Sequence, residues 1–179
     1  KLNNLKEIIM KTLIVIDVQN DFVTGSLGTL EAQAIIPNVR KKIAEYRERN
    51  DKIIFTQDTH DSNYLETNEG KHLPVPHCIA GTDGWKIVDE LSNDEDIIVY
   101  KSTFGNLYWS KLVSQRDDTI EIIGLCTDIC VISNALILKA MFPNSKITVD
   151  ASCCAGVTPE THKSAIEVMK ICQIDIIGE

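Results

Sequence analysis

Six short apolar runs rich in β-branched residues, each closed by polar or turn residues, recur at 12–18 (TLIVIDV), 52–57 (KIIFTQ), 96–101 (DIIVYK), 119–124 (TIEIIG), 146–151 (KITVDA) and 174–179 (IDIIGE). Runs of that length without alternation read as strands buried on both faces. Helical patterns lie between them. Over 33–49, Ile35, Ile36, Val39, Ile43 and Tyr46 recur at helical spacing, with Lys and Arg weighted toward the far end. Thr158-Pro159-Glu160 reads as a helix start, a cap followed by proline in the first turn, with Ala165, Val168, Met169 and Cys172 on one face. Strands alternating with helices of this length predict βαβ units, and so a three-layer α/β sandwich with a mostly parallel six-stranded sheet and helices on both faces. A chain of 179 residues suits one domain, taken as 10–179, with residues 1–9 before Met10 either a vector remnant or an ordered extension.

In open sheets of this kind ligands bind beyond the carboxyl ends of the strands. Polar residues just after each apolar run are therefore the functional candidates. Asp17 ends the first run, Asp58 and His60 follow the second, Lys101 ends the third, and Cys130 lies just after the fourth. One long connection, 58–85, breaks the rhythm and carries His77 between prolines and a Gly-Thr-Asp-Gly-Trp ending. An insertion of that length in a compact domain points to function or disorder.

Cys130 has two readings. Capped by Thr127 or Asp128, a helix starting here would set the thiol among unpaired backbone N–H groups and lower its pKa, with a lysine adding to the shift and a carboxylate taking the proton. The alternative is a small buried apolar residue, which is also the reading kept for Cys126. Zinc held by the two cysteines alone lacks two ligands, and a disulfide between them needs an oxidising compartment. Asp58, His60 and His77 make better metal chemistry, a carboxylate and two imidazoles that leave positions open, and suit zinc, iron or manganese. Glu66, Glu69 and His72 on the same connection are candidate further ligands.

Charge narrows the partners. With 18 basic and 26 acidic residues the formal net charge is -8, against a nucleic-acid or anionic-membrane partner. The first apolar run is short and interrupted by Asp17, so neither a secretory signal nor a transmembrane span is expected. Six scattered cysteines fit reduced thiols in a cytoplasmic protein. The 44% apolar composition is compatible with a homo-oligomer.

Five stretches in order, LIVIDVQNDF (13–22), TQDTHD (56–61), PHCIAGTDGW (76–85), YKSTFG (100–105) and GLCTDICV (124–131), resemble the motifs of the isochorismatase-like cysteine hydrolases, most closely the nicotinamidase branch. The resemblance runs from about Met10 to the last strand. It implies a catalytic triad of Asp17, Lys101 and Cys130, with an oxyanion hole from the backbone N–H groups of Cys126 and Cys130, the former beside a cis peptide after Leu125. It implies a metal held by Asp58, His60 and His77, with Glu69 or Glu66 as fourth ligand, and Phe22 as one wall of a ring pocket. Zinc comes first among the metals, and no organic cofactor is expected. The substrate would be a small amide, nicotinamide, hydrolysed to nicotinate and ammonia.

One departure bears on the substrate. Where the branch usually has an aromatic residue three positions before the last metal histidine, this chain has Pro74 beside Leu73, and Trp85, Tyr64 or Trp109 would have to substitute. A different small amide, carbamoyl or ureido substrate is thus the second reading. A phosphoacceptor signalling domain is the remote third: it too is doubly wound, but it leaves His60, His77 and Cys130 unused.

Overall fold

The computed structural model describes residues 11–114 and 119–179, so the 1–9 segment lies outside the described residues. Six strands, β1 (Lys11–Ile16), β2 (Lys52–Asp58), β3 (Ile97–Lys101), β4 (Thr119–Leu125), β5 (Lys146–Ala155) and β6 (Asp175–Ile177), form one sheet in the order β3-β2-β1-β4-β5-β6. Every neighbouring pair is parallel. The helices are α1 (Asn20–Val23), α2 (Leu30–Glu48), α3 (Asn68–His72), α4 (Ile132–Met141) and α5 (Pro159–Ile171).

The continuous apolar runs are explained by burial on both sides. Leu13 and Val15 of β1 face a core with Ile35, Val39, Ile43 and Tyr46 of α2. Ile14 and Ile16 face a second core with Val131, Ala135 and Leu138 before and within α4 and Ile166 and Met169 of α5. The result is the three-layer sandwich expected from the strand–helix alternation. Residues of successive strand positions serve opposite cores, so every position of β1 after Lys11 is buried.

Several boundaries differ from the sequence reading for identifiable reasons. β1 stops at Ile16 because Asp17 takes a left-handed φ of 47°. α2 starts three residues early, at Leu30, where the Thr29 side chain accepts from the N–H of Ala32 at 3.0 Å. Pro37 sits inside this helix on its exposed side, where proline is less disruptive than against the core. The Thr158 cap of α5 is present, but Ile166 is buried where Val168 was expected, and Val168 is exposed. β5 runs on through Cys153 and Cys154, paired with β4 past an irregularity between Ile122 and Gly124. Gly124 is required there: its φ is 120°, and a Cβ would lie 2.1 Å from the Ile16 carbonyl oxygen.

The strand order reverses between β1 and β4, which places a crevice at their carboxyl ends. The 58–85 connection lies over this edge. It contains a tight turn at Tyr64–Glu66 followed by α3, and its His60 and Ile79 form an isolated parallel bridge.

Candidate active site

Register brings the strand-end residues together. Asp58 and Lys101 are paired as the last residues of β2 and β3, and Asp17 follows β1 on the next strand over. Lys101 Nζ reaches Asp17 Oδ2 at 2.6 Å, Asp58 Oδ1 at 3.2 Å and Cys130 Sγ at 3.6 Å. Asp17 is fully buried, and its other oxygen accepts a 2.6 Å hydrogen bond from Thr56 Oγ1. Burial pushes the Asp17 carboxyl above its ordinary range, with the Lys101 ammonium opposing. Burial also works against the charge on Lys101, but Asp17, Cys130 and Asp58 outweigh it and hold the ammonium firmly protonated.

Cys130 lies in a single π-helical turn, Thr127–Val131, between β4 and α4, and the N–H groups of Ile129 and Val131 both bond to the Cys126 carbonyl at 3.1 and 3.0 Å. The expected capping does not occur. Cys126 holds the cap position without a side-chain bond, the Asp128 carboxylate instead accepts from the N–H of Val157, and the Thr127 hydroxyl pairs with His162 Nδ1 at 2.7 Å. The thiol pKa also moves opposite to the sequence expectation: burial and then Asp17 push it well up, and Lys101 opposes them. Burial in this closed site thus disfavours the charged form of the sulfur.

The peptide between Leu125 and Cys126 is cis, as the resemblance implies. The Cys126 side chain lines the cavity beside Cys130, a role the packing reading did not include, and burial pushes its thiol up to about 12. All six cysteines are free.

Asp58, His60 and His77 offer ligand atoms within 4.8 Å of one another. His77 Nδ1 bonds to the Val75 carbonyl at 2.9 Å, which turns Nε2 inward. His60 Nε2 lies 3.0 Å from Asp58 Oδ2, and Glu69 Oε1 stands 3.7 Å from the Nε2 atoms of both histidines. Burial opposes ionisation of Asp58, yet His60 and Lys101 hold it below the usual carboxylate range. Burial likewise opposes charge on His60, but Asp58 and Glu69 push its pKa up. Two carboxylate oxygens and two imidazole nitrogens converging this way fit a divalent cation. Of the candidate fourth ligands the structure brings in Glu69; Glu66 and His72 are exposed, and His72 Nδ1 is engaged by the Asn68 carbonyl.

A cavity of about 230 Å³ opens over Cys130, walled largely by Phe22, Leu27, Leu73, Phe104, Ile129 and Val157. Phe22 sits 5.4 Å from the His77 ring. None of the three substitute aromatics lines this cavity. Trp85 stacks on Tyr100 and donates to Thr59 Oγ1, Trp109 is buried in the second core, and Tyr64 packs behind His60 and His77 with its hydroxyl on the Leu73 carbonyl.

Three supporting residues escaped the sequence reading. Gln19 is buried and brackets Asp58, accepting from its N–H at 2.7 Å and donating to its carbonyl at 2.9 Å. Asp21 Oδ2 accepts from the Cys78 N–H, which fixes the segment after His77. Asn134 bonds the carbonyl of Cys130. Gln19 and Asp21 stand inside the LIVIDVQNDF stretch, so their neighbourhood was visible; their partners were not.

The sequence matches a family profile described as "Isochorismatase domain" over residues 11–178. It is 25% identical to a protein of Mycobacterium tuberculosis named nicotinamidase/pyrazinamidase, over 94% of this chain and 98% of that protein. Among solved structures, the pyrazinamidase of Pyrococcus horikoshii in complex with zinc matches with a TM-score of 0.81 and 28% identity, covering 94% of this chain and 99% of that one. A pyrazinamidase/nicotinamidase of Streptococcus mutans matches with a TM-score of 0.79 and 29% identity, covering 93% and 99%.

Proposed function

Because this chain belongs to the isochorismatase domain family, we propose that it is a nicotinamidase-like amidohydrolase that converts nicotinamide to nicotinate and ammonia. The observation that carries the reading is the position of Lys101, within 2.6 Å of a buried carboxylate and 3.6 Å of a buried thiol. The relatives named for nicotinamidase and pyrazinamidase activity support it over nearly the full length of the chain.

In this reading Cys130 Sγ attacks the amide carbonyl carbon while Asp17 takes the thiol proton. Lys101 keeps sulfur and carboxylate in register and offsets the charge that the transfer places on sulfur. The oxyanion rests against the backbone N–H groups of Cys126 and Cys130. As the C–N bond breaks, Asp17 delivers the proton to the departing nitrogen, which leaves as ammonia. A water then attacks the thioester, giving one proton to Asp17 and, as the C–S bond breaks, restoring the Cys130 thiol and releasing the acid.

Asp58, His60, His77 and Glu69 would hold the divalent ion, zinc in the first instance, with iron or manganese suited to the same donors. When bound, the ion supplies a Lewis acid for a ring nitrogen and so selects the substrate. Phe22 provides one face of the ring pocket. The protein is taken as a single domain over 10–179 acting in the cytoplasm without an organic cofactor; no helix among the described residues is long and apolar enough to cross a membrane.

A second reading, hydrolysis of another small amide, carbamoyl or ureido compound, is favoured by the cavity walls: Leu73 lines the cavity, and Trp85, Tyr64 and Trp109 all sit elsewhere. The phosphoacceptor reading fares worse, since Asp17 is completely buried and ion-paired. Ammonia release from nicotinamide by metal-loaded protein, with Cys130→Ala as blank, tests the proposal. Release that depends on Cys130 supports it; release from the blank at the same rate defeats it, and release only from other amides selects the second reading.

A further inference from the structure

On its outer side the reaction cavity adjoins a second, wider and more open cavity of about 840 Å³, and the two share Glu69, Leu73, Phe104 and Ile129. These four residues line both spaces and mark the boundary between them. The inner space is mostly apolar, whereas Asp61, Asn63, Asn68, Ser102 and Thr103 give the outer one a polar lining. Glu69 belongs with the metal donors and Ile129 with the turn of Cys130, so Leu73 and Phe104 remain as the parts of the wall without another task. Phe104 is its one aromatic ring.

Phe104 is 47% exposed, yet its backbone is pinned. Its carbonyl accepts from Asn134 Nδ2 at 3.1 Å, and the same nitrogen donates to the carbonyl of Cys130 at 2.8 Å. The N–H of Asn106 donates to Asn134 Oδ1 at 2.8 Å, and Thr103 Oγ1 bonds the Gly105 carbonyl. At Gly105 a Cβ would meet Ile137 of α4 at 2.4 Å, so the loop lies directly on the helix that follows the nucleophile. One buried asparagine therefore ties both the Phe104 loop and the Cys130 turn to α4.

We propose that Phe104 is a specificity-determining residue: its ring, held in register with Cys130 through Asn134, closes the acyl pocket against the outer cavity and confines the enzyme to small, unextended acyl groups. Opening the wall joins the two spaces. Amides whose ring bears a short polar or cationic chain then fit, the ring over Cys130 and the chain among Asp61, Asn63 and Asn68. The inference rests on the amidohydrolase reading and names the part of the substrate that this wall inspects.

The test compares nicotinamide with pyridinecarboxamides carrying an aminoethyl chain on the ring, scored by kcat/KM for ammonia release with wild type, Phe104→Ala and Phe104→Leu. Phe104→Ala is expected to shift the ratio toward the extended amides by about tenfold or more. Phe104→Leu, which keeps most of the bulk, is expected to shift it much less. An unchanged ratio in a Phe104→Ala protein that melts like wild type overturns the proposal. Failure of the underlying reading shows separately, as wild-type protein that releases ammonia from no amide.

Discussion

The carboxamide of Asn134, fully buried, donates to the carbonyl of Cys130 at 2.8 Å. Its remaining capacity is filled as well: Nδ2 also serves the Phe104 carbonyl, and Oδ1 accepts from the Asn106 N–H and from Trp109 Nε1 at 3.0 Å. A side chain with four partners in a core is costly to lose, because each partner left behind is a desolvated polar group. Asn134→Ala is expected to lower unfolding stability by about 2–4 kcal/mol. Urea denaturation measures it, and a loss below about 0.5 kcal/mol, the range of ordinary surface substitutions, would show that water replaces the carboxamide without penalty.

Asp17 tests the proton path. Asp17→Asn keeps the shape and can still accept from Thr56, but it cannot take a proton from sulfur and leaves the Lys101 ammonium with Asp58 as its carboxylate partner. Ammonia release is expected to fall by about 10²–10⁴-fold. The melting curve and zinc content should show that the protein is folded and loaded. A folded, loaded variant within a few fold of wild type would remove Asp17 as the base.

The two glutamates of the connection separate cleanly. Glu69→Gln should weaken zinc binding at least about tenfold, the scale seen even for groups one step removed from a metal, because Glu69 Oε1 faces both imidazoles at 3.7 Å. Glu66→Gln should leave affinity unchanged, since Glu66 is exposed. Competition with a chromogenic chelator reads both, and equal effects would displace Glu69 from the donor set.

Away from the site, Lys42 of α2 clamps the sheet by ion pairs to Glu121 at 2.6 Å and Asp150 at 2.8 Å. Burial resists ionisation of Asp150, but Lys42 and Ser152 outweigh it and hold the carboxyl below its ordinary pKa. A folded pKa below the unfolded one means that the folded state binds fewer protons. The stabilisation is thus fully present above the unfolded value of about 4 and is lost as pH falls through the lower folded value. Asp150→Asn should cost about 1–3 kcal/mol near neutrality, with the gap from wild type narrowing as pH falls below the unfolded value of about 4. Urea midpoints at neutrality and under acid conditions decide it, and a gap that widens on acidification would contradict the sign.

Much of the fold was legible because its causes are local. β-branched runs without alternation mean strands covered on both sides, and Thr158 followed by proline marks a helix start whatever surrounds it. Two of the misplaced boundaries have tertiary causes. Asp17 bends out of β1 where its N–H meets Thr56, and β5 continues because Gly124 of β4 pairs with Cys154. On α5 the buried face turns toward Ile166, a choice made by the core beneath it rather than by spacing.

The site divides the same way. The sequence by itself determined which chemical groups stand at the strand ends, since a carboxylate, a lysine, a thiol and an Asp-x-His pair follow apolar runs whose parallel pairing must gather them at one edge, with His77 on the long connection. Only the tertiary structure decided how those groups behave and what surrounds them. It set Glu69 rather than Glu66 beside the two imidazoles, placed Phe104 rather than Trp85, Tyr64 or Trp109 in the cavity wall, and raised the Cys130 pKa where a helix terminus alone would have lowered it. The physical reason is range: backbone pattern is settled by neighbours in the chain, whereas desolvation, charge pairing and cavity shape depend on groups that meet only after the sheet has formed.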